Sequence, residues 1–179
     1  PLLAAAEGGT SLFQLAAGEY LVHAAFGRAS VARRVVIGKD GGSEIFIIEA
    51  GGLKLSAMLA GQPLESRDLL LEIYSDTEDE RGERTLIANN IGAGQIVRLN
   101  KGTYHVLSKY GDINAQVRAD LRVQAGKLTK AAVEQRGARV AVKLVSQAGA
   151  EAIADTSWSV QTEGSEEVFQ SASAQPNFI

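Results

Sequence analysis

The densest set of side chains that could do chemistry is the acidic run Asp76-Thr77-Glu78-Asp79-Glu80-Arg81-Gly82-Glu83. Carboxylate oxygens gathered on a loop around a glycine are the hard ligands that calcium takes, so Asp76, Glu78, Asp79 and Glu80 form a candidate calcium loop. Their spacing departs from the EF-hand order, and Arg81 and Arg84 sit among the carboxylates. A solvated connection between strands explains the same residues, as it does the thinner run Glu163-Gly164-Ser165-Glu166-Glu167. The expectation is therefore no bound metal.

The other candidates are sparse. His23 and His105 are the only histidines, and a two-histidine metal site would need both on one face beside a carboxylate. They read instead as surface-facing strand residues, and no Gly-x-Ser-x-Gly elbow supports a serine triad. Trp158, the only tryptophan, could stack on a sugar, but it falls in an alternating stretch and is expected in a core. Gly92-Ala93-Gly94 lacks the helix that a phosphate-binding loop needs. The chain has no cysteine, which removes disulfides, thiolate catalysis and cysteine-based zinc sites together. No catalytic residue and no cofactor are expected, and the chain is not expected to be an enzyme.

Bulk properties narrow the partners. Eighteen basic residues are scattered among twenty-one acidic ones, for a net charge of −3, so no nucleic-acid footprint is present. The longest apolar runs, Leu2 to Ala6 and Ile45 to Ile48, are far short of a membrane span, and no membrane insertion is expected. The chain opens at Pro1 rather than Met, which suggests trimming from something longer, with any targeting segment lost from view.

The elements that would carry these residues emerge when the chain is laid on itself. At an offset of 84 residues Leu2 meets Leu86, Ala4 meets Ala88, Gly8 meets Gly92 and Leu15 meets Leu99. Gly18, Tyr20, Val22, Gly27 and Arg34 then meet Gly102, Tyr104, Val106, Gly111 and Arg118 without a gap. After small slips in turn-rich stretches, Glu49 meets Glu134, Gly52 meets Gly137, Leu53-Lys54-Leu55 meets Ala138-Arg139-Val140, and Leu71 meets Trp158. Within each unit apolar residues alternate with polar or small ones: Tyr20, Val22 and Phe26; Leu53, Leu55, Ala57 and Leu59; Val140, Val142 and Leu144. That period of two describes strands with one face on a core. Turn signals separate them, among them Gly41-Gly42, Gly61-Gln62-Pro63 and Ala148-Gly149. Ala32 to Arg34 and Lys127 to Gln135 come nearest to helix, and neither holds a helical period.

The doubled motif Leu15-Ala-Ala-Gly18-Glu-Tyr20-Leu-Val22 and Leu99-Asn-Lys-Gly102-Thr-Tyr104-His-Val106 has a structural reading. The glycine permits a backbone reversal, and the tyrosine packs its ring inward while its hydroxyl caps a backbone group of the loop. Gly18, Tyr20, Gly102 and Tyr104 are thus expected to form tyrosine corners. The fold expected is all-β: tandem immunoglobulin-like Greek-key sandwich modules with a repeat of about 84 residues.

A resemblance refines this. The order Gly52-Leu53-Lys54-Leu55, Gly61-Gln62-Pro63-Leu64, a strand from Leu69 to Tyr74, a further strand, then Leu99-x-x-Gly102-x-Tyr104-x-Val106 resembles carboxypeptidase-regulatory-like and Cna-B-type modules. These are prealbumin-like sandwiches. The order is also similar to that of exported tandem-repeat proteins of alphaproteobacteria with no assigned function. The resemblance spans nearly the whole chain and implies a periplasmic or extracellular location. Some Cna-B-type modules hold a Lys–Asn isopeptide crosslink. Lys54 and Lys143 fall at first-strand positions but out of phase with the apolar residues, and the candidate last strands, Ser43 to Glu49 and Leu128 to Glu134, contain no Asn, so no crosslink is expected.

By the family's phrasing, residues 51–134 are one complete module, 1–50 the C-terminal part of an earlier one, and 135–179 the N-terminal part of a later one. The other phrasing divides the chain into 1–92 and 93–179. A half-sandwich exposes an apolar face, so the first phrasing implies self-association by strand exchange. The function expected is a structural or protein-interaction module of an exported cell-envelope protein. A carbohydrate or small-ligand binding module using the sandwich-end loops is the alternative, and an accessory domain of a larger enzyme or secretion component is a third. The partner, protein or glycan, is not named by the residues.

Overall fold

The computed structural model describes residues 3–65, 67–111, 113–138, 140–164, 167–172 and 177–178. They form strands and turns and no helix. In chain order the strands are β1 (Gly18–Phe26), β2 (Ala29–Ile37), β3 (Ala50–Leu59), β4 (Gln62–Pro63), β5 (Leu69–Glu78), β6 (Arg84–Ala88) and β7 (Ile96–Asn100). They continue as β8 (Gly102–Tyr110), β9 (Ala115–Val123), β10 (Leu128–Gln135), β11 (Val140–Ala141), β12 (Trp158–Gln161), β13 (Glu167–Ser171) and β14 (Asn177–Phe178).

Two sheets face each other in the middle of the chain. One has the order β6-β5-β8-β9; in the other β3 lies between β10 and β7, with β4 also paired to β3. The buried cluster joins Leu53 and Leu55 of β3, Val97 and Leu99 of β7, Leu71 and Ile73 of β5, Tyr104 and Val106 of β8, and Val123 of β9. Each comes from the inward half of an alternating strand, because successive side chains of a strand point to opposite faces. Leu53, Leu55 and Ala57 are buried while Lys54, Ser56 and Met58 between them are half-buried. The short reversal from β3 to β4 places Ala60 and Gly61 at φ 51° and 74°, the paired left-handed residues that a tight hairpin of matching twist needs.

Most neighbours pair antiparallel, but β10 runs parallel to β3, with Leu128 beside Gly52 and Gln135 beside Leu59. The chain therefore joins this sandwich at Ala50 and leaves it after Gln135 at opposite ends, roughly 30 Å apart at the usual strand rise.

Outside the central sandwich the sheets are two-stranded. β1 and β2 form a hairpin with Tyr20 opposite Val35, and β12 pairs β13 while β11 pairs β14. β1 and β8 occupy corresponding stretches, yet their hairpins differ. In the second, Tyr104 lies opposite Leu121 and the turn runs from Gly111 to Asn114, against Gly27-Arg28 in the first. The ungapped match of Arg34 with Arg118 thus gives way after the turn: Arg34 faces Leu21, and its counterpart opposite His105 is Asp120. The added length is two residues, which leaves every side chain on its own face, whereas one would have inverted them.

Two other expected strands are corrected. Ser43 to Glu49 is not a strand, although its counterpart β10 is. β10 owes its ladder to β3, and among the described residues no strand precedes β1 to serve 43–49 in the same way. The alternating stretch Val140 to Leu144 is strand only at Val140–Ala141. β3 is held on both sides by β10 and β7; among the described residues β11 pairs with β14 alone. Leu2 and Arg139, two positions of the sequence comparison, lie outside the described residues.

Candidate functional site

The doubled corner is built alike in both hairpins. Tyr104 Oη donates to the Asn100 carbonyl at 2.8 Å, and Tyr20 Oη donates to the Ala16 carbonyl at 2.8 Å. Each phenol reaches back four residues, over the reversal made at Gly102 (φ 157°) or Gly18, and holds the loop against the strand that follows. The surroundings differ. The Tyr104 ring is buried in the core cluster, while Tyr20 is half-buried on a hairpin that no second sheet covers among the described residues.

Burial raises the Tyr104 hydroxyl above the ordinary tyrosine value. Burial also raises Tyr74, helped by its hydrogen bond to Glu72 and that carboxylate's charge. A raised phenol keeps its proton in the fold after the unfolded chain has lost it. Its contribution is intact below the ordinary value near 10 and is lost as pH rises through the folded value. Stability is therefore expected to fall on the alkaline side of about pH 10. Tyr104→Phe should lower stability by about 0.5–1.5 kcal/mol at neutral pH and flatten part of the alkaline slope, whereas Tyr20→Phe, on the more exposed hairpin, should cost less at neutral pH. Chemical denaturation at pH 7 and at alkaline pH reads both.

The tip of the β1–β2 hairpin meets one end of the central sandwich, and at the other end the tip of the β8–β9 hairpin meets the segment that follows β10. At the first, Phe26 lies under the Arg98 guanidinium, 4.5 Å from ring centroid to Cζ. Arg28 N–H donates to the Arg98 carbonyl at 3.0 Å, and Ser30 N–H to Asn100 Oδ1 at 3.0 Å. A Cβ on Gly27 would stand 2.9 Å from Arg98 Cβ, and one on Gly52 2.9 Å from Leu128 Cδ1. A cleft of about 320 Å³ remains here between Phe26, Gly52, Ile96, Arg98 and Leu128. Glu49 and Lys101 tie the connecting segment down through a backbone bond of 2.7 Å and an ion pair of 2.6 Å.

At the far end the same relation returns. A Cβ on Gly137 would lie 2.7 Å from Ala115 Cβ and 3.1 Å from the Tyr110 ring. Tyr110 ends β8 as Phe26 ends β1, and Gly137 is the position that pairs with Gly52 in the sequence comparison. Beside it Gln135 Nε2 donates to Ser108 Oγ at 2.5 Å, with both residues buried. Nothing in the local pattern announces this polar pair, since its members are 27 residues apart.

The chemistry-bearing residues do not gather into a reaction centre. In the acidic turn Asp79 Oδ1 accepts the N–H groups of Arg81 and Glu83, each at 2.9 Å. Arg84 donates to the Ser75 and Asp76 carbonyls and bridges Glu78 at 3.1 Å. Of the candidate calcium residues, Asp76 and Glu78 lie at the end of β5 and Asp79 and Glu80 in the turn to β6; the Asp79 carboxylate accepts the turn's own amides and that of Glu78 pairs with Arg84. Among the described residues no three His, Asp or Glu side chains converge as metal ligands. Of the thinner second run, Ser165 and Glu166 lie outside the described residues.

His23 is exposed on β1, and His105, on β8, lies with Nδ1 2.7 Å from Asp120 Oδ1. His105 belongs to a cross-strand set on the outward face of the β6-β5-β8-β9 sheet that sequence reading missed. Lys109 pairs with Glu72 at 3.2 Å, and Tyr74 Oη donates to Glu72 Oε2 at 2.8 Å. Lys109 and Glu72 are diagonal neighbours across β8 and β5, and cross-strand contacts of this kind add about 0.2–1 kcal/mol each to sheet pairing. Lys143 Nζ donates to the Ala150 carbonyl at 2.8 Å. Trp158 is half-buried on β12, and its Nε1 is shielded from solvent with no hydrogen-bond partner among the described residues.

Fold and site together define an all-β sandwich protein in which two-stranded sheets lie before and after the central sandwich in the chain. Residues 139–179 match the family model of the Rhizobiales growth-associated tandem repeat domain. The match is well short of half the chain, and it fits an alphaproteobacterial repeat protein. No curated protein matches the chain.

Proposed function

We propose that the chain is a non-catalytic structural or protein-interaction segment of an exported cell-envelope repeat protein. One observation carries the reading: the β1–β2 and β8–β9 hairpins share the tyrosine corner, yet only the second lies under another sheet. In this reading residues 51–134 are a complete module. Residues 1–50 are the rear of the preceding one, and 135–179 the front of the next. The 84-residue offset between the corners then measures the repeat.

The tandem-repeat match at 139–179 supports the reading, since it falls on the stretch assigned to a new copy. So does the absence of convergence among His23, His105, the acidic turn and Trp158 described above. The sandwich acts as a spacer or adhesion surface toward a protein or glycan partner, and the resemblance to exported repeat proteins supports a periplasmic or extracellular location. Fractionation of the bacterium that makes it tests the placement. Recovery with the periplasm or envelope is the expected result, and recovery only with the cytoplasm would refute export.

A further inference from the structure

We propose that two copies of this chain join edge to edge through β9, antiparallel about a two-fold axis at Ala119, so that the β6-β5-β8-β9 sheet of one copy continues into that of the other. The proposal rests on the central sandwich alone and holds whichever repeat the other strands belong to.

β9 is the outer strand of its sheet, with β8 on one side and, among the described residues, no strand hydrogen-bonded on the other. An open edge is a template for pairing, and sheets blunt it with short strands, bulges, prolines or inward-pointing charges. β6, at the opposite edge, is five residues long and its register slips twice against β5. β9 has none of these devices. It runs nine residues in unbroken register with β8, without proline, and turns Ala115, Val117, Ala119 and Leu121 inward. Those four are only half-buried, and Val117, Ala119 and Leu121 line a cleft of about 440 Å³ against Ala131 and Val133 of β10.

The free backbone groups belong to the outward residues. The Arg122 carbonyl accepts Thr129 Oγ1 of β10 at 3.1 Å, and Gln116 N–H donates to the Asn114 carbonyl at 2.8 Å, so both point away from β8. Arg118 and Asp120 share their parity, and their N–H and C=O groups face the open edge. Charge then selects the register. Centring the pair on Arg118 sets Arg118 against itself, and centring it on Asp120 sets Asp120 against itself and Arg118 against Arg122; like charges so opposed are destabilising. Centring on Leu121 overlaps only the end of the strand, where Thr129 already holds Arg122. Centring on Ala119 overlaps all of β9 and sets Arg118 of each copy opposite Asp120 of the other, as pairs that exchange both N–H···O bonds. Both groups are ready for it. Asp120 gives Oδ1 to His105 Nδ1 at 2.7 Å and its side chain is 62% exposed, while Arg118 meets only Gln116 Oε1, at 3.3 Å, among the described residues. On the inner side Ala119 meets Ala119 at the axis, where the chains come closest, and Val117 faces Leu121 of the second copy beside the cleft. The corresponding outward residues of β2, Ala32 and Arg34, offer no such self-match. A contact in which each residue meets its counterpart's partner is isologous and closes at two copies.

The test is sedimentation velocity on the full chain and on R118D and D120R across a wide concentration range, with circular dichroism melting to show that each is folded. The wild type is expected to pass from the 18.9 kDa monomer to twice that mass and no further. Each variant alone should stay monomeric, because each sets like charges opposite one another. Mixed one to one they should form a heterodimer, the carboxylates of one copy facing the arginines of the other. A wild type that stays monomeric at the highest concentration, or that grows past the dimer, overturns the proposal. So does an R118D chain that dimerises like the wild type, or a mixture of folded variants that stays monomeric. A119C decides the matter should a charge variant not fold. It is the only thiol in a chain without cysteine and lies at the axis, where paired Cβ atoms are close enough for a disulfide. Mild oxidation should link most A119C chains into dimers and leave A32C, on β2, unlinked. Equal linking of the two, or none in A119C, refutes the β9 pairing.

Discussion

Gly51→Ala is expected to be among the most damaging single substitutions in the chain. Gly51 opens β3 at the edge of the core and is buried. A Cβ placed there would stand 2.2 Å from the Gln124 carbonyl oxygen, 2.8 Å from Val123 Cγ1 and 3.0 Å from the Lys127 carbonyl oxygen. Two of the three obstacles are backbone atoms of the β9–β10 connection, which also accepts the Gly52 N–H at Lys127 and donates from Gly126 N–H to Ala50. Relief therefore requires breaking the start of the parallel β3–β10 ladder. The penalty should reach the upper end of overpacking, about 3 kcal/mol or more, and lower the melting temperature by roughly 10–20 °C. Gly82→Ala is the comparison. Gly82 has open space around it and pays only for its φ of 78°, so about 1 kcal/mol is expected. Thermal unfolding followed by circular dichroism distinguishes the two. A Gly51→Ala chain that melts like Gly82→Ala would mean the β9–β10 turn is free to move aside.

The second large effect is a contrast between identical residues at matching positions. Val106 is fully buried in the central core, and Val22 is half-buried on the uncovered hairpin. Truncating Val106 to Ala removes the transfer energy of two methyl-sized groups and leaves a cavity that a close-packed sandwich cannot collapse, so a loss of about 2–3 kcal/mol is expected. Val22→Ala in dilute solution should cost below about 1 kcal/mol, because its face is already open to water. Amide exchange resolved by strand reads both, with β3, β5 and β8 losing protection in the first variant and only β1 and β2 in the second. The difference between the two numbers measures what a covering sheet contributes.

Some of this was legible in the residues and some was not. Tyr20 and Tyr104 stand out because a corner is local: the hydroxyl reaches a carbonyl only four residues back. The strands around them are legible because a side chain's face is set by its parity alone. Ser43 to Glu49 was not legible. The same kind of sequence is strand at β10, where β3 offers a ladder 76 residues upstream, and irregular where no such strand lies in reach. The acidic run reads as a ligand set in one dimension, and only the fold shows that Glu78 pairs with Arg84 across from β6 and that Asp79 accepts the turn's own amides. The two-residue lengthening of the β8–β9 turn escaped an ungapped comparison because an even insertion preserves the apolar phase.

By itself, then, the sequence determined the strand character, the inward and outward faces, the tyrosine corners and the lack of thiol chemistry. Those properties depend on residues within a turn or a strand of one another. Tertiary structure alone decided which strands acquire partners, that β3 and β10 run parallel so the chain passes from one end of the sandwich to the other, and which apolar faces remain uncovered. These depend on contacts between residues far apart in the chain, and a pattern with a period of two carries no information about what will lie across from it.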